Sequence, residues 1–294
     1  MPELPDLEAY RHALRARIVG QPVERVAVTH PFLLRTVAPP VDALEGRRIV
    51  DVRRLGKRIV LALEDGLFVV LHLMVAGRLR WLAGDARPPA RITLARFDFP
   101  PGRLVLTEAG TRRRASMHVV EGEAALLALD PGGVEPLACD LATFAAILAR
   151  GNHTLKRALT DPHALAGIGN AYSDEILHRA QLSPLALTGK LEAEAVARLY
   201  TAMREVLTEW TIRLAREADA AFPEKVTAFR PEMAVHGRFG QPCPVCGAPV
   251  QRIVYAENEC NYCARCQTGG RILADRALSR LLKDSFPRTL DEAD

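Results

Sequence analysis

Two groups of residues in this chain have types and spacings that suit chemistry, and the first is the amino terminus, Met1-Pro2-Glu3-Leu4-Pro5-Asp6. A small residue after Met1 permits removal of the initiator, and the new terminus is then the secondary amine of Pro2. An α-amino group has a pKa of about 8, well below that of lysine, so a useful fraction is neutral at neutral pH. A neutral secondary amine attacks an electrophilic carbon and goes on to an iminium, which is nucleophilic catalysis. Glu3, one residue away, has the chemistry of a general acid or base. Asp6 and Glu8 fall in the first turns of a following helix, where the helix dipole favours carboxylates. Taken alone, Pro2-Glu3 reads equally well as an ordinary helix opening.

The second group is the cysteines. Cys243-Pro-Val-Cys246 and Cys263-Ala-Arg-Cys266 form C-x2-C-x16-C-x2-C. Two such knuckles supply four thiolates at the spacing of a tetrahedral Zn²⁺ site, and a closed four-thiolate shell is structural because no position is left for substrate. Gly247 suits the tight turn after the second ligand. Cys260-Asn-Tyr-Cys263 is also a C-x2-C, so the spacing by itself leaves Cys260 and Cys263 open as the second pair. Cys139 stands alone and reads as a small buried apolar residue.

The elements that must position these groups follow from periodicity. A helix begins near Asp6 and runs to about Arg17. Strands are expected at Val23 to Thr29, Arg48 to Leu55, Arg58 to Leu63, Leu67 to Leu73, Ile92 to Phe97 and Arg103 to Leu106. Pro39-Pro40, Pro88-Pro89 and Pro100-Pro101 mark loops. Asp130-Pro131-Gly132-Gly133 is the expected boundary. Helices are expected after it at Leu141 to Arg150, Leu155 to Thr160, Asn170 to Gln181 and Glu192 to Asp219. Val250 to Tyr255 suits one strand of a hairpin between the knuckles, and Arg276 to Lys283 a last helical turn. The expectation is an α+β chain of three parts. Residues 1–130 form a β-sandwich with flanking helices, 131–222 a helical domain, and 223–294 a zinc-ribbon module with a tail.

Composition sets limits on function. Hydrophobic residues make up 49% and charged residues 25% of 294 residues, as in a globular protein. The start of the chain lacks a basic and apolar leader, and the most apolar stretch, Leu67 to Ala76, is too short to cross a bilayer. A cytoplasmic protein with reduced thiols and no membrane partner is expected. The net charge of +4 is compatible with nucleic acid. Arginine far outnumbers lysine, and Arg112-Arg113-Arg114 in one loop suggests contact with phosphate.

Met1-Pro2-Glu3-Leu-Pro5-Asp-Leu-Glu8 resembles the start of the formamidopyrimidine-DNA glycosylase and endonuclease VIII family. Four further stretches keep the family's order. These are Leu55-Gly56-Lys57-Arg58, Gly167-Ile168-Gly169-Asn170-Ala-Tyr172-Ser-Asp174-Glu175, Val235-His236-Gly237-Arg238 leading into Pro242-Cys243, and the zinc ribbon with Gln267. The resemblance implies a β-sandwich domain, a helix–two-turn–helix domain and a zinc finger. It implies one structural zinc on Cys243, Cys246, Cys263 and Cys266, which leaves Cys260 out. It implies a glycosylase and abasic-site lyase of base excision repair. In that reading Pro2 attacks C1′ of a damaged nucleotide and expels an oxidised base, β- and δ-elimination follow, Glu3 manages protons and Lys57 lies in the catalytic site. Damaged double-stranded DNA is the implied partner, the protein acting as a monomer. Lys156 and Asn170 become phosphate contacts, and the reacting base leaves the stack.

Three departures mark a divergent member. The family's H-L-x-M-[ST]-G strand reads His72-Leu73-Met74-Val75-Ala76-Gly77, so Val75 takes the Met position and Met74 is expected on the other side of the strand. The loop that supplies a wedge Arg and Phe reads Glu108 to Ser116, with Arg112 and Arg113 available and no Phe. The finger's usual Arg is Asn258, a weaker phosphate contact. A damage-binding member with little or no catalysis is the alternative; the intact Pro2, Glu3 and Lys57 argue against it.

Overall fold

The computed structural model describes residues 1–84, 86–110, 112–255, 258–273 and 288–290, and of Tyr255 and Asn258 the backbone only. The expected turn at Arg276 to Lys283 lies outside the described residues. The chain divides into two compact units, Met1–Pro131 with Glu209–Thr227, and Gly132–Thr208 with Ala228–Asp294.

The first unit opens with α1 (Leu4–Ile18). Its Leu7, Tyr10, Leu14 and Ile18 recur every three or four residues and are fully buried, which fixes one face of the helix on the core. Burial of each such side chain stabilises by about 1.5–3 kcal/mol. Eight strands follow: β1 (Arg25–Val28), β2 (Ile49–Leu55), β3 (Arg58–Leu63), β4 (Leu67–His72), β5 (Gly77–Leu82), β6 (Thr93–Phe99), β7 (Gly102–Glu108) and β8 (Ser116–Glu121). They form two antiparallel sheets, ordered β1-β6-β7-β5 and β2-β3-β4-β8. Alternate residues of both sheets, such as Ile59, Leu61, Val69 and Leu71 from one and Leu79, Phe97, Leu104 and Leu106 from the other, share one core with α1. The outer face of the second sheet buries Val60, Phe68 and Val70 with Leu126 of α2 (Glu123–Leu127).

All six expected strands are present, within two residues at either end. Strands β5 and β8 were not expected. Their alternation is in the chain, with Arg78 and Arg80 between Gly77, Leu79 and Trp81, and His118 between Met117 and Val119, but each run is only six residues long. The expected strand ending at Leu73 stops at His72, and residues 73–76 form a turn closed by Gly77 N–H donating to Leu73 O at 2.9 Å. Met74 has a positive φ of 53°. Strand alternation therefore does not govern Met74, and the expectation that it faces the opposite side of a strand fails. Val75 is exposed on the same turn.

The second unit carries α3 (Leu141–Ala149), α4 (Leu155–Thr160), α5 (Asn170–Arg179) and the start of α6 (Ala193–Ala220). Asp140 caps α3 by accepting from Thr143 N at 2.8 Å, and Thr154 caps α4 by accepting from Arg157 N. The antiparallel hairpin β9 (Val250–Tyr255) and β10 (Asn258–Cys263) leads into the short α7 (Ala264–Thr268). No helix among the described residues is long and apolar enough to cross a membrane.

Candidate active site and metal centre

In the first unit, the start of the chain is held by the cap of α1. The Glu3 side chain accepts from the backbone of Asp6, and Asp6 accepts from Glu3 N at 3.0 Å. Pro2 is buried, and Glu3 and Asp6 are 3% and 2% exposed. Burial lowers the pKa of the amino group on Met1 below that of an ordinary chain terminus; Glu3 and Asp6 pull it up, and the charges of Arg78 and Lys57 push it down. The result is an amine that gives up its proton readily beside a buried carboxylate. Glu8 is turned away to a structural task, accepting from Arg54 Nε at 2.8 Å and Arg11 Nε at 2.6 Å.

Lys57 sits half-buried in the two-residue turn between β2 and β3, where Gly56 takes a positive φ of 56°. Its neighbour Arg58 pairs across the sheet with His72. Burial, followed by the charges of Arg58, Lys57 and His118, lowers His72 to a pKa of about 4, so this imidazole is neutral at pH 7. Sequence reasoning gave His72 no role of its own. Arg112 and Arg113 are exposed, and Arg113 Nη2 donates to Arg91 O at 2.8 Å. Glu108, at the base of their loop, is buried and accepts from Arg114 N and Ala115 N.

In the second unit, α5 is buried along almost its whole length, although it carries Ser173, Asp174, Glu175 and His178. Polar groups in such a place need partners. Asp174 Oδ1 accepts from Lys156 Nζ at 2.5 Å, and Oδ2 accepts from Asn261 N at 3.1 Å and lies 2.7 Å from His236 Nδ1. Burial alone would raise the Asp174 pKa; the charge of Lys156 and the contact with His236 hold it below the usual carboxylate value. Glu175 accepts three backbone N–H groups, from Ala234, Val235 and His236, at 2.7–2.9 Å. Lys156 also donates to Asn170 O at 2.7 Å, and Asn170 Nδ2 donates one hydrogen to Glu259 O at 2.7 Å. Lys156 and Asn170 are thus brought together at the start of α5, with Lys156 in an ion pair instead of on a solvated face. The backbone of Asn258 opens β10; its side chain lies outside what the structure describes.

The four sulfurs of Cys243, Cys246, Cys263 and Cys266 lie within 4.8 Å of one another, with 3.9 Å between Cys243 and Cys266 and 3.4 Å between Cys246 and Cys263. Tetrahedral zinc with Zn–S bonds of about 2.3 Å places its sulfurs about 3.8 Å apart. The residues fit zinc. Cys260 is buried outside this cluster, where burial pushes its thiol pKa up. Gln267 braces the knuckle, accepting from Cys263 N at 2.8 Å and donating to Leu182 O at 2.9 Å. His178 Nε2 stands 3.3 Å from Cys243 Sγ. Burial lowers the His178 pKa, so the ring is neutral, and toward a proton-free thiolate its Nε2 must be the donor. No spacing rule points to His178, because it precedes Cys243 by 65 residues. Cys139 is buried with its Sγ toward Pro136 O at 3.5 Å.

Three family models match the chain: the formamidopyrimidine-DNA glycosylase N-terminal domain at residues 1–117, the formamidopyrimidine-DNA glycosylase H2TH domain at 129–218, and a zinc finger found in FPG and IleRS at 240–269. Formamidopyrimidine-DNA glycosylase of Thermus thermophilus is 36% identical over 92% of this chain and 100% of its own length. That of Heliobacterium modesticaldum is 35% identical over 91% and 100%. Among solved structures, the complex of Lactococcus lactis Fpg with DNA containing an abasic site superposes with a TM-score of 0.79 at 26% identity, over 90% of this chain and 99% of that one.

Proposed function

The chain belongs to the formamidopyrimidine-DNA glycosylase family of DNA-repair glycosylases, and from that premise we propose that it is a bifunctional glycosylase and abasic-site lyase working through the amine of Pro2. With Met1 removed, the Pro2 nitrogen attacks C1′ of an oxidised nucleotide. The N–C1′ bond forms as the glycosidic bond breaks, and the base leaves with a proton. The ring-opened iminium then loses a C2′ proton and the 3′ phosphate, and a second elimination releases the 5′ phosphate. Glu3 is the group that moves protons at the sugar. Lys57, Lys156 and Asn170 orient the phosphates around the lesion, Arg112 and Arg113 contact the duplex beside it, and Asn258 contacts phosphate from the finger. One structural zinc on Cys243, Cys246, Cys263 and Cys266 holds the finger in shape.

The observation that carries this reading is the lowered proton affinity of an amino group set beside the buried Glu3. The test is borohydride trapping on duplexes carrying 8-oxoguanine, an oxidised pyrimidine or an abasic site. A covalent complex with the wild type, lost in Pro2→Gly or when Met1 is retained, is expected. Binding without trapping on any of the three would replace the enzyme with a damage-binding protein.

A further inference from the structure

The first unit has a cavity of about 850 Å³ lined by His30, Phe32, Arg91, Ile92, Gly110 and Arg113. Phe32 is 76% exposed and its ring centroid is 5.7 Å from that of His30. An isolated surface phenylalanine is ordinary. This one is projected by a fixed turn: Pro31–Leu33 is one turn of 3₁₀ helix, Leu33 is buried in the core, and Arg35 N–H is tied to Met117 O at 2.8 Å. The walls beside it are cationic, and the hydrogen bond from Arg113 to Arg91 O joins them. The carboxylate of Glu108 is turned onto the backbone of Arg114 and Ala115 and so is engaged away from an anionic ligand.

The cavity is continuous with the amino-terminal site. Arg78, whose charge acts on the amino group, donates to Val75 O at 2.9 Å and Gly77 O at 2.7 Å in the 73–76 turn. A Cβ built on Gly110 would stand 3.9 Å from that of Ala76 on this turn. A preset aromatic face flanked by guanidinium groups is the arrangement that stacks a nucleobase and holds its phosphates.

We propose that this cavity takes a nucleobase of DNA that has lost its pairing partner, the base opposite the reacting nucleotide. Phe32 supplies the stacking face, and Arg91 and Arg113 the charge for the adjoining phosphates. The assignment rests on the reading of the protein as acting on a nucleotide withdrawn from duplex DNA, an event that leaves its partner base unpaired.

The test compares two duplexes with the full-length protein. One carries tetrahydrofuran opposite cytosine, the other tetrahydrofuran opposite a second tetrahydrofuran, with no base at that place. Phe32→Ala is expected to weaken binding of the first about tenfold, the scale of one lost base–aromatic stack, and of the second less than twofold. Phe32→Tyr is expected to restore the first. An equal loss on both duplexes, or no loss on either, overturns the proposal. Borohydride trapping by the wild type, run alongside, tests the Pro2 amine separately. A protein that shows the Phe32 difference and never traps retains the stacking site and loses the catalytic reading.

Discussion

The amino group at the head of α1 and the imidazole of His178 are each tuned by what covers them. Burial and the charges of Arg78 and Lys57 lower the amine's proton affinity, so its neutral, nucleophilic form persists to lower pH than in an ordinary terminus. The same surroundings act on a Pro2 amine one residue along. The rate of trapping on abasic DNA is therefore expected to rise with pH and level off with a midpoint below about 8, the ordinary value. A midpoint at or above that value, measured in single-turnover reactions, would show an unperturbed amine. His178 makes an independent prediction. Its N–H toward Cys243 offsets charge on a zinc thiolate, so His178→Phe is expected to release zinc to a competing chelator at least tenfold faster, and His178→Gln, which keeps a donor, much less. Equal release from both variants would limit His178 to packing.

At the scale of elements, α5 is where the second unit concentrates its buried polar groups. One carboxylate, Asp174, receives the α4 side chain of Lys156, the imidazole of His236 and the backbone of β10. Breaking a buried, hydrogen-bonded pair by removing one member leaves the other charge uncompensated, and Asp174→Ala is expected to cost about 3–5 kcal/mol in denaturant unfolding. Because the folded-state pKa of Asp174 is depressed, its contribution is complete above the ordinary aspartate pKa and fades as pH falls through the depressed value. Asp174→Asn should therefore flatten the acid limb of the stability curve; an unchanged limb would place that sensitivity elsewhere. In the first unit the alternation in β5 and β8 was legible in principle. Six-residue runs interrupted by arginine or histidine carry little signal until a neighbouring strand pairs with them.

For the molecule as a whole, the finger depends on its metal where the β-sandwich does not. The hairpin β9–β10 and the short α7 have a small core built around the cysteines themselves, whereas α1 and two four-stranded sheets enclose a large one. Chelation of zinc is expected to abolish hydrogen-exchange protection in 240–269 and weaken DNA binding, with the sandwich strands keeping theirs. Loss of protection throughout both units would show that the metal supports more than the finger.

The local chain by itself determined the C-x2-C knuckles, the six longer strands, the helices of 141–220 and the pairing of Pro2 with Glu3, because each is written in residues a few positions apart. The membership of the family was legible in the same way, from motifs in order. Tertiary structure alone decided the rest. Cys260 and Cys263 are three apart on β10, an odd separation that points their side chains to opposite faces, so only one of them reaches the metal. Lys156 became half of a buried ion pair with Asp174, 18 residues away, and His236 the other partner of that carboxylate, 62 residues away. Burial and charge proximity are sums over neighbours that only folding assembles, so neither the lowered basicity of the amine nor the cavity beside Phe32 could be read from spacing.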